Sequence, residues 1–91
     1  MSNLSKSNID TFLQTNNDWA LKNNGIEKYF VFKDFASAFA FLTKVALLSE
    51  KMNHHPNWSG VYNKVHIRLT THDIGGLSQL DIAMAKEIDL L

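Results

Sequence analysis

The segment DFASAFAFLTKVALLSEKMN (residues 34–53) decides the fold, because it predicts one long amphipathic helix. Asp34 is a typical N-cap residue, and Asn53 suits the left-handed backbone that ends many helices. Between them, apolar and small side chains recur every three or four residues, the spacing of one helix face. This face is formed by Phe35, Ala38, Phe39, Leu42, Val45, Ala46 and Ser49.

A second apolar row, formed by Phe41, Leu48 and Met52, follows the same helix. Such a row either widens the face that packs on the core or stays exposed as an interface. The core of a 91-residue chain is small, so contact with another subunit would add stability.

Strand-like segments lie on both sides of this helix. Residues 19–22 and 26–33 precede it and are joined by an Asn-Asn-Gly turn, and residues 60–63 and 64–71 follow it. In residues 64–71 apolar and polar side chains alternate, which indicates a strand with one buried face.

Helices are also predicted near both ends of the chain. Ser5 is a good N-cap for a short first helix, and Ser78 with Asp81 matches the capping box of a last helix. The element order is therefore α-β-β-α-β-β-α. Short hairpin loops favour an α+β fold with a four-stranded antiparallel sheet and helices packed on one face, in a single domain over residues 1–91.

The composition excludes several classes of function. The formal net charge is zero, so we expect neither direct binding of nucleic acid nor binding to a membrane surface. The absence of cysteine excludes disulfides and thiolate chemistry and favours the cytoplasm. The first ten residues lack the pattern of a targeting signal.

Three of the four histidines form the candidate site. His54 and His55 precede Pro56, the only proline, and His72 follows the fourth predicted strand. A residue before proline is extended, and successive side chains of an extended segment point in opposite directions. His66 lies about 20 Å from His72 along the strand, too far to share an ion with it.

Three interpretations of these histidines remain open from the residues alone. They are solvated side chains without a task, a three-histidine zinc site, or an acid/base pair that adds or removes water. Glu50 lies four residues before His54, so it either holds a ring nitrogen of His54 or is solvated. Trp58 either stacks on a heterocycle or belongs to the core, and helix capping explains Asp81.

Two motifs carry a resemblance to a known family. EKMNHHPNW (residues 50–58) and VYNKVHIRLTTHDIGGLSQLD (residues 61–81) resemble pterin-4a-carbinolamine dehydratase, and similar features run from about Trp19 to the C-terminus. The resemblance implies dehydration of 4a-hydroxytetrahydropterin, as in 4a-hydroxytetrahydrobiopterin recycling, without metal or cofactor. It also implies a homodimer or homotetramer.

The resemblance assigns the site residues. It implies that His54, His55 and His72 are catalytic, with His54 and His72 carrying most of the proton transfer. It further implies that the pterin is lined by Asn53, Thr70, Thr71 and Asp73.

Two rival functions remain at this stage. One is a non-catalytic protein-binding module, like the dimerization cofactors among animal members of the family, with Phe41, Leu48 and Met52 exposed for the partner. The other is a zinc hydrolase built on the same histidines.

Overall fold

The computed structural model describes residues 2–91 and confirms the α+β architecture and the predicted order of helices and strands. The helices are α1 (Lys6–Thr15), α2 (Phe35–Met52) and α3 (Gln79–Asp89). The strands are β1 (Ala20–Lys22), β2 (Gly25–Val31), β3 (Asn57–Val61) and β4 (Lys64–Leu69). A short 3-10 helix, His72–Ile74, leads from β4 towards α3.

The four strands form one antiparallel sheet in the order β1-β2-β4-β3. Helix α2 carries the chain from β2 to the far edge, and β4 then returns between β2 and β3. Val65, Ile67 and Leu69 of β4 are almost fully buried beneath the helices, whereas the alternate residues of β4 face outward. The helices thus cover one face of the sheet, as predicted.

The predicted helix ends are confirmed in atomic detail. The Ser5 hydroxyl accepts the Asn8 N–H at 3.1 Å, and the Asp34 carboxylate accepts the Ser37 N–H at 2.8 Å. Asn53 adopts φ 51°, the left-handed conformation expected at the end of α2. Helices α1 and α2 therefore begin where a side chain satisfies a free backbone N–H.

Several strand boundaries differ from the prediction, including those of β1 and β3. Trp19 precedes β1 and is buried, with its indole N–H donating to Asp89 at 2.9 Å. Strand β3 starts at Asn57, because the ladder to β4 extends as far as the Asn57–Arg68 pair. Tyr62, with φ 52°, and the following residue form the hairpin turn instead of ending a strand.

The face that helix α2 buries is only partly the predicted one, because the second apolar row is buried with it. Ala38, Phe41, Val45 and Ser49 are buried, and Leu48 and Met52 pack against the core. The alternative that Phe41, Leu48 and Met52 form an exposed row is therefore wrong, and the alternative that they widen the core face is confirmed. The apolar side chains left exposed on α2 include Phe35, Phe39 and Leu47. Both rows are apolar, so the sequence pattern alone leaves the rotation of the helix undetermined.

Within residues 2–91, none of the helices combines the length and apolar character needed to cross a membrane.

Candidate active site

The end of α2 determines how the histidine doublet leaves the helix. At the left-handed Asn53, the chain turns away from the helix axis, and the His54 N–H still donates to the Ser49 carbonyl at 3.1 Å. Ser49 itself is buried, and its hydroxyl donates to Val45 O at 2.7 Å. The turn is thus held by backbone bonds on one side and by the core on the other.

His54 points inward and is held by a buried carboxylate. Its Nε2 lies 2.6 Å from Asp81 Oδ1, and the side chains are 11% and 0% exposed respectively. An ionised carboxylate only accepts hydrogen bonds, so Nε2 carries the proton of this bond. The other ring nitrogen, Nδ1, takes no part in it.

Asp81 joins three parts of the chain. Its second oxygen, Oδ2, accepts the Thr71 hydroxyl at 2.7 Å and the Ser78 N–H at 2.9 Å. The Thr71 and Ser78 hydroxyls lie 2.7 Å apart. Asp81 therefore links the segment after α2, the segment after β4 and the start of α3.

The sequence identified Asp81 only as a helix cap and missed this role. The cap uses Oδ2, which leaves Oδ1 for His54. The sequence does show an acidic capping residue at this position. Only the fold shows that Asp81 is fully buried, and a buried carboxylate requires several partners.

His55 points the other way, towards solvent. Its Nε2 lies 2.8 Å from Glu50 Oε1, and the two side chains are 59% and 80% exposed. Of the two alternatives for Glu50, the contact with His54 is therefore wrong, and an exposed, solvated side chain is what the structure shows. The regular i, i+4 geometry ends at Met52, and the left-handed turn at Asn53 brings His55, not His54, to Glu50.

His72 follows Thr71, the residue that contacts Asp81. Thr71 is buried with its hydroxyl on Asp81, and His72 follows as the exposed first residue of the 3-10 helix. The backbone of Thr71 also pairs with Gly76, which closes the loop on itself. The segment that carries His72 is thereby tied to the same carboxylate as His54.

The remaining predicted site residues have diverse surroundings. Asn53 and Asp73 are exposed beside the histidines in sequence. The Thr70 hydroxyl bonds to the carbonyl oxygens of Asn24 and Gly76, at 3.0 and 3.3 Å. Of the predicted site residues, His54 and Thr71 are joined directly through Asp81, while His55 contacts Glu50.

An apolar pocket of about 350 Å³ lies beside His55. Its walls come mainly from α2, and Trp58, 59% exposed, closes it on the side of β3. Glu50 and His55 are the ionisable residues of its lining.

No group of three or more His, Cys, Asp or Glu side chains converges as a metal site within the described residues 2–91. The chemistry of the His54–Asp81 pair is instead that of a proton donor and acceptor held in one tautomer.

Comparison with known proteins identifies the family. The family model for pterin 4 alpha carbinolamine dehydratase matches residues 2–91. The chain belongs to this family. The resemblance found in the two sequence motifs is thus confirmed.

Several relatives cover nearly the whole chain. A Prochlorococcus marinus protein provisionally named as a pterin-4-alpha-carbinolamine dehydratase is 50% identical over 91 residues, 100% of this chain and 96% of the relative. A Synechococcus protein with the same provisional name is 52% identical over 97% of this chain and 95% of its own length.

Two solved structures share the dehydratase-family fold. A transcriptional coactivator/pterin dehydratase from Brucella melitensis has a TM-score of 0.93 and 36% identity, covering 98% of this chain and 97% of the other. A pterin dehydratase-like protein described as a RuBisCO assembly factor in the alpha-carboxysome has a TM-score of 0.67 and 30% identity, covering 79% and 83%.

Proposed function

We propose that this protein dehydrates 4a-hydroxytetrahydropterin to quinonoid dihydropterin and water, in the recycling of a tetrahydropterin. The observation that carries the proposal is the 2.6 Å contact between His54 and the fully buried Asp81, in a member of the pterin dehydratase family. A buried carboxylate that holds an imidazole is an arrangement suited to general acid/base catalysis.

The reaction requires two proton movements and no redox step. A general acid protonates the hydroxyl on carbon 4a, the C–O bond breaks and water leaves. A general base removes the proton from nitrogen 5, and the electron pair of that N–H bond forms the new C4a–N5 double bond. Imidazole titrates near neutrality, so histidines can serve in both roles.

His54 and His72 are the proposed proton-transfer residues, and His55 orients or assists. His54 is held rigidly by Asp81, whereas His72 and His55 are exposed and accessible to a ligand. Asn53, Thr70, Thr71 and Asp73 are proposed to line the pterin. No metal ion or other cofactor takes part in this proposal.

The direct test is an absorbance assay of 4a-hydroxytetrahydropterin dehydration. Wild-type protein should accelerate the reaction, and the His54→Ala/His72→Ala double variant should lose on the order of 10²–10⁴ in rate or more. His66→Gln is a matched control, because His66 lies on the outer sheet face paired with Glu27 at 2.9 Å. Equal rates for the wild type and the double variant would show the assignment to be wrong.

The second candidate is a protein-binding module. Two observations favour it: the exposed apolar side chains Phe35, Phe39 and Leu47 on α2, and the structural similarity to a protein described as a RuBisCO assembly factor. The isolated protein should then show no pterin turnover, and Phe39→Asp should abolish a stable complex with a partner. The dehydratase proposal instead predicts turnover by the isolated protein.

We also propose that the protein acts as a homodimer or homotetramer in the cytoplasm. Strand β3 is a sheet edge whose five residues are all exposed and uncharged, a feature that invites pairing with another chain. Analytical ultracentrifugation should give twice or four times the 10.3 kDa of one chain. A monomer at micromolar concentration would contradict this part.

A further inference from the structure

The Thr71 and Ser78 hydroxyls form a buried chain that ends on Asp81. Ser78 and Asp81 are fully buried, and Thr71 is 8% exposed. Asp81 Oδ2 accepts from Thr71 Oγ1 at 2.7 Å and from the Ser78 backbone N–H at 2.9 Å. The two hydroxyl oxygens are also 2.7 Å apart, so one proton must lie between them.

The number of hydroxyl protons determines which hydroxyl donates and which accepts. Each hydroxyl has one proton, and the Thr71 proton is used on Asp81. The proton between the two hydroxyls therefore comes from Ser78. In the reverse direction Asp81 would be protonated, and the Ser78 proton would have no acceptor among the hydrogen bonds described for this residue. A buried donor without a partner is costly, so the first direction is favoured.

In this arrangement of hydroxyl protons, the Asp81 carboxylate only accepts hydrogen bonds. With Oδ2 occupied by two donors, Oδ1 is left to accept from His54 Nε2 at 2.6 Å. A neutral His54 then carries its proton on Nε2 and presents an unprotonated Nδ1.

We propose that Thr71 and Ser78 are positioning residues that select the Nε2–H tautomer of His54 and so leave Nδ1 as the nitrogen that exchanges protons with the pterin. The inference rests on the proposed function for the identity of that substrate. It gives Thr71 a task beyond lining the pterin and gives Ser78 a task beyond starting α3. The tautomer itself is independent of any substrate.

The test reads the ring nitrogens by ¹⁵N–¹H correlation spectroscopy of histidine-labelled protein at about pH 8.5, where an ordinary imidazole is neutral. His54 is assigned by the loss of its signals in His54→Gln. Two variants remove a hydroxyl with little change of shape or cap: Thr71→Val and Ser78→Gly, since glycine is a tolerated N-cap.

Each variant has a matched control. Thr71→Ser keeps the hydroxyl, and Ser5→Gly makes the same N-cap change on α1, away from this chain of hydroxyls. Wild type, Thr71→Ser and Ser5→Gly should show His54 as a single Nε2–H tautomer. Thr71→Val and Ser78→Gly should show a measurable Nδ1–H population. Turnover of Thr71→Val should fall about 10-fold relative to Thr71→Ser, the effect of losing one hydrogen bond to a charged group.

The outcomes separate this inference from the proposed function. An Nδ1–H tautomer in the wild type, or an unchanged Nε2–H signature in both hydroxyl-deletion variants, would overturn the inference whatever the turnover. Absence of turnover in the wild type would instead refute the dehydratase proposal, while the ring-nitrogen signals would still decide the tautomer. The wild-type spectrum needs only His54→Gln for its assignment, so the tautomer of His54 remains testable if Thr71→Val or Ser78→Gly prevents folding.

Discussion

His54 and His55 are neighbours in the chain, and the Nε2 atom of each lies within hydrogen-bonding distance of a carboxylate. The two histidine–carboxylate pairs nevertheless lie in different surroundings. The His54–Asp81 pair is 11% and 0% exposed, while the His55–Glu50 pair is 59% and 80% exposed. An exposed ion pair is screened by water and contributes between about 0 and 1 kcal/mol. A buried pair is costly to break, because one partner is left without compensation.

The difference shows that the carboxylate's surroundings, and not its presence, determine what a histidine can do. Asp81 is fixed by Thr71 and Ser78 and cannot move away from His54. Glu50 is a flexible side chain on the surface of α2 and can leave His55 at little cost. His54 is therefore held in place, whereas His55 is free to move.

The strongest test of this comparison is substitution of each histidine in turn. We expect His54→Gln to lower kcat for pterin dehydration on the order of 10²–10⁴, because a proton-transfer group is lost. His55→Gln should cost about 10-fold or less, the loss of one hydrogen bond. Steady-state kinetics of both variants measures the two decreases in kcat. Equal decreases would contradict the distinction between His54 and His55.

Substitution of the two carboxylates gives the next largest effect. Asp81→Asn should lower kcat about 100-fold through misplacement of His54. It should also reduce the free energy of unfolding by about 3 kcal/mol, because a buried pair loses its charge. Glu50→Gln should change stability by less than about 0.5 kcal/mol. Urea unfolding of both variants checks this, and equal destabilisation would remove the distinction between the two pairs.

Asn53 makes the turn that separates the two histidines. Its φ of 51° is unfavourable for most residues, so Asn53→Ala should reduce the free energy of unfolding by about 1 kcal/mol. Asn53→Gly should fold as well as wild type, since glycine adopts this conformation readily. If alanine and glycine are equally stable in thermal unfolding, the left-handed turn is not what orients the doublet.

The smallest expected effect concerns Asp34 at the start of α2. It tests whether the stability contributed by this helix cap depends on pH, separately from the histidine pairs. The Ser37 backbone N–H, which donates to Asp34, lowers the pKa of Asp34 below the usual 3.8. Because the folded pKa is the lower one, the ionised cap stabilises the protein above pH 3.8, and this contribution is lost as the pH falls through the folded pKa.

Asp34→Asn keeps a capping oxygen but cannot ionise. The difference in Tm between wild type and Asp34→Asn should therefore be present at neutral pH and shrink in acid. A constant difference across this range would show that the charge of Asp34 contributes nothing.

Local features of the fold could be predicted from the sequence. Ser5, Asp34 and Asn53 act within one helical turn of their own position, so each cap could be inferred from a few residues. The alternation in β4 was equally informative, because a strand with one buried face has a period of two. The rotation of α2 was not predicted, since Phe39 and Phe41 are both apolar and only packing on the sheet distinguishes them.

The candidate site was predicted in part. The histidine motifs pointed to the family, which the comparisons confirm. The partners of the histidines were not predicted correctly, because the contact of His54 joins residues 27 positions apart and depends on how α3 packs. Regular helical spacing offered His54 as a possible partner of Glu50, and the turn at Asn53 interrupts that spacing.

The most direct test is a crystal structure of the protein with a reduced pterin analogue bound. The account predicts the ring within about 3 Å of His54 Nδ1, with His72 within hydrogen-bonding distance of the same ring and the Asp81 contact intact. A ring bound elsewhere, or His54 and His72 opening onto separate surfaces in every subunit of the assembly, would contradict it.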